Sequence, residues 1–161
     1  MSETGGQVNI RTLDLADIVA VREILSVQKS AYGQEARLIG FFEIPALKDT
    51  EKSIRESGET FYGYRIGNRL AGVVSVQSQG GIAEICRLVT HPGYLRRGVA
   101  GQLLDFVERG VPTGWRLRVS TAAGNQPALD LYNKRGYSQI RRHYSKEGLE
   151  LITLEKHVSK E

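Results

Sequence analysis

Apolar positions change their spacing several times along the chain, and each change marks an element. Residues 8–13 alternate apolar with polar, which predicts a strand. Asp14 then precedes a stripe at near-helical spacing, Ile18, Val21, Leu25 and Tyr32. That stripe predicts a helix capped by Asp14, with Asp17 favouring the positive end of its dipole. Gly33 is expected to stop it. Leu38-Ile39-Gly40-Phe41-Phe42 is apolar but follows neither period; after Pro45 a short polar helix is expected over about 47–57. From Thr60 the period falls to two. Strands over 61–66 and 70–77 flank a Gly67-Asn68 turn, and a third spans 82–89 after Gly80-Gly81. Strict alternation there places Glu84, Cys86 and Leu88 on one face and Ala83, Ile85, Arg87 and Val89 on the other.

Downstream, Val99, Leu103, Leu104 and Val107 mark an amphipathic helix that ends near Gly110. Residues 115–119 alternate as a strand. Asn125 opens a helix carrying Ala128, Leu131 and Tyr132, and Gly136 closes it. Strands over 137–141 and 149–154 are expected to form an antiparallel hairpin. The order β-α-α-β-β-β-α-β-α-β-β is that of a mixed α/β sheet. Residues 1–7 read as a flexible tail and 8–161 as one domain.

Composition narrows the classes. At 161 residues, 40% hydrophobic and 25% charged, the chain is long enough for one real core and has an ordinary globular balance. No apolar run is long enough to span a bilayer. Residues 1–6 carry no basic-then-apolar pattern, so a cytoplasmic setting is expected. One cysteine excludes an internal disulfide and a multi-thiolate metal site. The net charge of +4 suits an anionic small ligand or an acidic partner. The basic pairs Arg96-Arg97, Arg116/Arg118, Lys134-Arg135 and Arg141-Arg142 are scattered and read as solvated surface, so no nucleic-acid partner is expected.

Chemistry concentrates where the third strand runs through His91-Pro92-Gly93-Tyr94 into a helix beginning Arg97-Gly98-Val99-Ala100-Gly101. Small residues there let a ligand approach the backbone. The unpaired amides of a helix start, with its dipole, suit an anion such as a phosphate. A glycine at a helix start also serves as a plain cap.

These residues resemble the GNAT superfamily of acyl-CoA-dependent N-acyltransferases, whose motif Arg/Gln-x-x-Gly-x-Gly/Ala follows a strand and a His-Pro loop. Here the motif reads Leu95-Arg96-Arg97-Gly98-Val99-Ala100, with Leu95 where the family has Arg or Gln. A second stretch, Asn125-Gln-Pro-Ala128-Leu-Asp-Leu131-Tyr132-Asn-Lys-Arg-Gly136-Tyr137, is similar to the family's Asn-x-x-Ala-x-x-Leu-Tyr-x-x-x-Gly-Phe/Tyr. The resemblance implies a central, mostly antiparallel sheet of six to seven strands with about four helices and splayed central strands. It implies acetyl-CoA as co-substrate, no metal and direct transfer to a primary amine in a ternary complex. Contacts to the cofactor are implied for Leu88, Val89, Thr90, Leu95, Arg96, Arg97, Gly98, Val99, Ala100, Gly101, Asn125 and Tyr132.

An alkyl ammonium near pKa 10 must lose a proton before it attacks, and the leaving thiolate must gain one. The resemblance gives Tyr132 as the acid, although a tyrosine on that helix is equally a core aromatic. Glu84 is the expected base, its alternative being a solvent-facing residue paired with Arg118. Glu35 and Glu43 are weaker candidates for the base. The acceptor groove is expected from residues 32–47 and 140–149, with Glu35, Phe41 and Phe42 as substrate-binding residues. Cys86 reads as strand filler rather than a nucleophile, and His91 as a loop cap. A non-catalytic acyl-CoA-binding regulatory module on the same fold is the alternative function, and a homodimer through the last hairpin stays open.

Overall fold

The computed structural model describes residues 9–159, so the tail assigned to residues 1–7 lies outside the described residues. Seven strands form one sheet in the order β1-β2-β3-β4-β5-β7-β6. They are β1 (Ile10–Thr12), β2 (Thr60–Ile66), β3 (Arg69–Gln79), β4 (Ile82–Thr90), β5 (Arg116–Ala122), β6 (Ser138–Tyr144) and β7 (Glu150–His157). Four α-helices accompany them: α1 (Ile18–Ile39), α2 (Glu51–Arg55), α3 (Val99–Gly110) and α4 (Gln126–Lys134). Every neighbouring pair of strands is antiparallel except β4–β5.

Two apolar layers sandwich the sheet. On one face Val21, Ile24 and Val27 of α1 meet Phe61, Leu70, Val73 and Val89. On the other, Leu103, Leu104 and Val107 of α3 and Tyr132 of α4 meet Val74, Ala83, Ile85, Leu117 and Val119. The first turn of α3 sits hard against β3 because Gly72 has no side chain; a Cβ there would lie 2.5 Å from Val99 Cγ1 and 3.1 Å from the Val89 carbonyl oxygen.

Three elements differ from the sequence reading. Helix α1 is capped by Asp17, whose carboxylate accepts the Val19 N–H at 2.9 Å, while Asp14 accepts that of Ala16. The helix also runs through Gly33 to Ile39, where Gly40 ends it at φ 71°. Gly33 keeps helical geometry, which costs only about 1 kcal/mol relative to Ala. The extension carries Glu35 on helix rather than loop. The polar helix expected over 47–57 divides into a 3-10 turn (Pro45–Lys48) and α2, whose cap Thr50 exchanges hydrogen bonds with Ser53.

The third difference is in β4. Ser75 pairs with Arg87 and Val76 with Ile85, so Cys86 has no partner on β3 and forms a bulge. One extra residue inverts the alternation beyond it. Ala83 and Ile85 face α3, whereas Arg87 and Val89 face α1. Glu84 therefore shares the α1 side with Arg87 and Val89, not a face with Cys86 and Leu88. The β4–β5 ladder ends at the same place. It runs from Ile82↔Arg116 to Ile85↔Val119, after which β4 continues to Thr90 and β5 to Ala122 without pairing. The central strands are splayed from Cys86 onward.

Candidate active site

The gap between β4 and β5 opens into a cavity of about 310 Å³. Its walls come from five places: Tyr32 and Glu35 on α1, Phe41 to Ala46 after it, the split ends of β4 and β5, Asn125 to Tyr132 at the start of α4, and Ser145 to Leu151 of the last hairpin. The two segments expected to wall the acceptor groove thus meet in one cavity. A larger depression of about 580 Å³, lined by Asp105, Glu108, Lys156 and neighbours, shares no residue with it and lies where β4 and β5 are still paired. Of the two, the smaller cavity is the one bordered by the stretches where β4 and β5 no longer pair with each other.

Tyr132 is 4% exposed and borders the cavity, its ring packed edge-on against Tyr137 at 5.5 Å. Burial, then the nearby Glu35 charge, push its phenol well above the ordinary value. The group therefore keeps its proton at neutral pH. Glu35 lines the same space. Burial raises its carboxyl pKa, partly offset by a hydrogen bond from Asn125. Asn125 also caps α4, its Oδ1 accepting the Ala128 N–H at 3.2 Å. One residue thus ties the helix start to the carboxylate of α1. Tyr32, one turn before Glu35, lines the cavity with a phenol raised by burial and by Glu35.

The other expected site residues separate. Phe41 lines the cavity; Phe42 is 62% exposed and outside it. Glu84 lies below the splay, in register with Gln77 and Arg118, and does not reach the wall. Arg118 pairs with Glu155 instead. Cys86 borders the cavity with its thiol pushed up to about 12, first by burial and then by the Glu59 and Glu84 charges, so it is no thiolate. Glu43 pairs with Lys48 at the surface. His91 caps its loop, Nδ1 accepting the Gly93 N–H at 3.0 Å.

Beside the splay, the start of α3 is open. Leu95, Arg96, Arg97 and Gly98 are exposed, with Arg96 at φ 66° and Gly98 at φ 75°. Gly98 caps the helix without any side-chain hydrogen bond, and the first intrahelical bond is from Gln102 N–H to the Gly98 carbonyl. The amides of Val99, Ala100 and Gly101 precede that bond and point out of the helix end, an arrangement that can hold an anion. Arg97 stacks on Tyr94 at 5.4 Å. Arg135 lies over Gly101 and pairs with Asp105, so one of the scattered basic residues stands at this helix start rather than in open solvent. On β4 the backbone of Leu88, Val89 and Thr90 bonds to β3 on one side and faces the gap on the other.

Beneath the splay is a buried ionic cluster. Arg87 Nη1 donates to Asp49 Oδ2 at 2.7 Å and to Gln28 Oε1 at 2.9 Å, and Nε donates to Glu59 Oε1 at 2.9 Å. Ser75 Oγ donates to Glu59 at 2.6 Å, and the guanidinium lies 5.3 Å from the Phe61 ring. Arg87, Asp49 and Glu59 are only 12–14% exposed along their side chains. The sequence reading does not expect Arg87 at the cavity, and it includes Tyr32 and Glu147 only within the two wall segments, without singling them out. For Tyr32 the signal was its spacing of three before Glu35, hidden once the helix was taken to stop at Gly33.

A splayed β4–β5 pair beside an open helix start is the arrangement that the sequence resemblance implies. Comparison with known proteins agrees: the family described as the acetyltransferase (GNAT) domain matches residues 28–158, and the chain belongs to that family. It is 39% identical over 140 residues to the UPF0157 protein YqkA of Bacillus subtilis (strain 168), covering 87% of this chain but 41% of that protein. The chain thus spans about two fifths of that relative's length. It is 27% identical over 132 residues to streptothricin acetyltransferase of Escherichia coli, covering 79% of this chain and 74% of that one. The fold superposes on aminoglycoside 6'-N-acetyltransferase complexed with coenzyme A with a TM-score of 0.72 at 13% identity, over 94% and 98% of the two chains. No helix among the described residues is long and apolar enough to cross a membrane.

Proposed function

We propose that the chain is an N-acetyltransferase that moves an acetyl group from acetyl-CoA to a primary amine within a ternary complex. The observation that carries this reading is the coincidence, at Cys86, of the β4 bulge and the end of the β4–β5 ladder, beside a helix start with uncapped amides. The amides of Val99, Ala100 and Gly101 hold the diphosphate, with Arg96, Arg97 and Arg135 adding charge. The freed backbone of Leu88, Val89 and Thr90 pairs with the pantetheine amides and polarises the thioester carbonyl. Leu95 offers no charge, and the anion rests on the backbone. Kinship to proteins named acetyltransferases, one of them complexed with coenzyme A, supports the same reading.

Within the cavity Glu35 replaces Glu84 as the base. Glu35 removes a proton from the acceptor ammonium, and a carboxyl pKa raised by burial brings base and amine closer in basicity. The neutral nitrogen then forms the C–N bond as the C–S bond breaks; the Tyr132 O–H protonates the departing sulfur, the surplus proton of the new amide nitrogen restores the phenol, and Glu35 gives up the first proton to water. Asn125 positions the carboxylate between these events.

Because the base acts only when ionised, turnover rises with pH through the Glu35 pKa. The raised value places that limb above the ordinary carboxylate range near pH 4.3. Glu35→Gln is expected to lower kcat by about 10²-fold or more and to remove this limb, measured by CoA-thiol release across pH. A Glu35→Gln enzyme with wild-type kcat and pH profile would return the role to another residue.

A further inference from the structure

Resting on the proposed function, the charge inventory of the cavity selects among amines. Its ionisable wall residues are Tyr32, Glu35, Cys86, Arg87, Tyr132 and Glu147. The two tyrosines and the cysteine stay protonated and neutral at pH 7. What is left is one cation facing two carboxylates, in a protein whose net charge is +4.

That single cation is committed elsewhere. Arg87 directs Nη1 to Asp49 and Nε to Glu59, at 2.7 and 2.9 Å, in a pocket where all three side chains are nearly excluded from water. One guanidinium there answers two carboxylates. Turning Arg87 toward a substrate carboxylate would strand Asp49 or Glu59 as a buried unpaired charge, which is strongly unfavourable. A carboxylate entering the cavity finds no cationic partner on its wall and meets Glu35 and Glu147.

Apolar side chains line the cavity together with those two carboxylates. Glu35 sits within the cavity beside Asn125, and Glu147 is exposed on the hairpin turn, fixed by Ser145 N–H to the Leu149 carbonyl at 2.8 Å. Phe41, Ile44 and Leu149 line the space with them. We infer that the acceptor is a cationic amine with no carboxylate near its reacting nitrogen, favoured further when a second positive charge stands off across an apolar stem to meet Glu147. α-Amino acids are rejected by this site.

Two matched pairs test this in a CoA-thiol release assay at saturating acetyl-CoA: phenethylamine against phenylalanine, and 1,4-diaminobutane against 4-aminobutanoate. Each amine is expected to show kcat/KM at least 50-fold above its carboxylate counterpart. Glu147→Lys is expected to narrow the second gap at least tenfold; a second gap unchanged by that substitution overturns the role given to Glu147. Equal or better turnover of phenylalanine or 4-aminobutanoate overturns the inference, as does no turnover of any of the four while acetyl-CoA still binds by calorimetry. Absence of acetyl-CoA binding instead overturns the enzyme reading on which the inference rests.

Discussion

Burial raises the pKa of both Tyr132 and Glu35, and the Glu35 carboxylate raises that of the phenol further. Both line the same cavity. Tyr132→Phe removes only the hydroxyl and preserves the ring contact with Tyr137. It is expected to lower kcat by about 10²-fold with acetyl-CoA affinity within about threefold of wild type, read from steady-state kinetics and calorimetry. Equal loss in both would reduce Tyr132 to a packing residue. Tyr132 was legible because the run from Asn125 to Gly136 fixes its place on a short capped helix. The choice of Glu84 as base was not safe, because a bulge leaves no trace in the period of a single strand. Residues 82–90 look alternating whether or not Cys86 is an extra residue, yet the bulge decides which side chains share the splay.

At the scale of elements, the Arg87 cluster fastens β4 to everything on its α1 side. It joins the helix at Gln28, the segment after the 3-10 turn at Asp49, and the approach to β2 at Glu59. Removing the guanidinium leaves two buried carboxylates unpaired, so Arg87→Met is expected to cost about 3–5 kcal/mol in urea unfolding. Burial opposes ionisation of Asp49, but hydrogen bonds from Ser53 and Gln28 and the Arg87 charge outweigh it, and its pKa falls below the ordinary value. A carboxyl pKa depressed on folding supplies stability that is present above its unfolded value near 3.9 and is lost as pH falls through the folded value. Wild type should therefore lose stability below about pH 4 more steeply than Arg87→Met; parallel profiles would deny the coupling. The cluster was not legible because its members stand far apart in sequence, and Arg87 alone reads as a strand charge. Helix α1 was misread for a related reason: Gly33 and Gly40 are the same letter, and only the second adopts a positive φ.

For the whole molecule, element order and the location of the cleft follow from local signals that agree with one another: period-two strands, a glycine-started helix and an asparagine-capped one. Those signals predict a mixed sheet, and the family resemblance implies its splayed centre; seven strands with a single parallel pair are observed among the described residues. Acceptor choice was not visible, because it depends on how many charges gather around one cavity and which of them are already paired. The account turns on whether the start of α3 and the split between β4 and β5 together hold acetyl-CoA. Gly98 adopts φ 75° in exposed backbone with only Gln102 Nε2 near a would-be Cβ, at 3.7 Å, so a side chain there has room at the helix start but carries a backbone strain of roughly 1–2 kcal/mol. The decisive measurement is calorimetric titration of acetyl-CoA into wild type and Gly98→Glu, with thermal unfolding of both. Wild type is expected to bind one equivalent with a Kd of roughly 1–100 μM, and the variant to stay folded and bind none. A folded wild-type protein that binds no acetyl-CoA, or a variant that binds it equally well, contradicts the account.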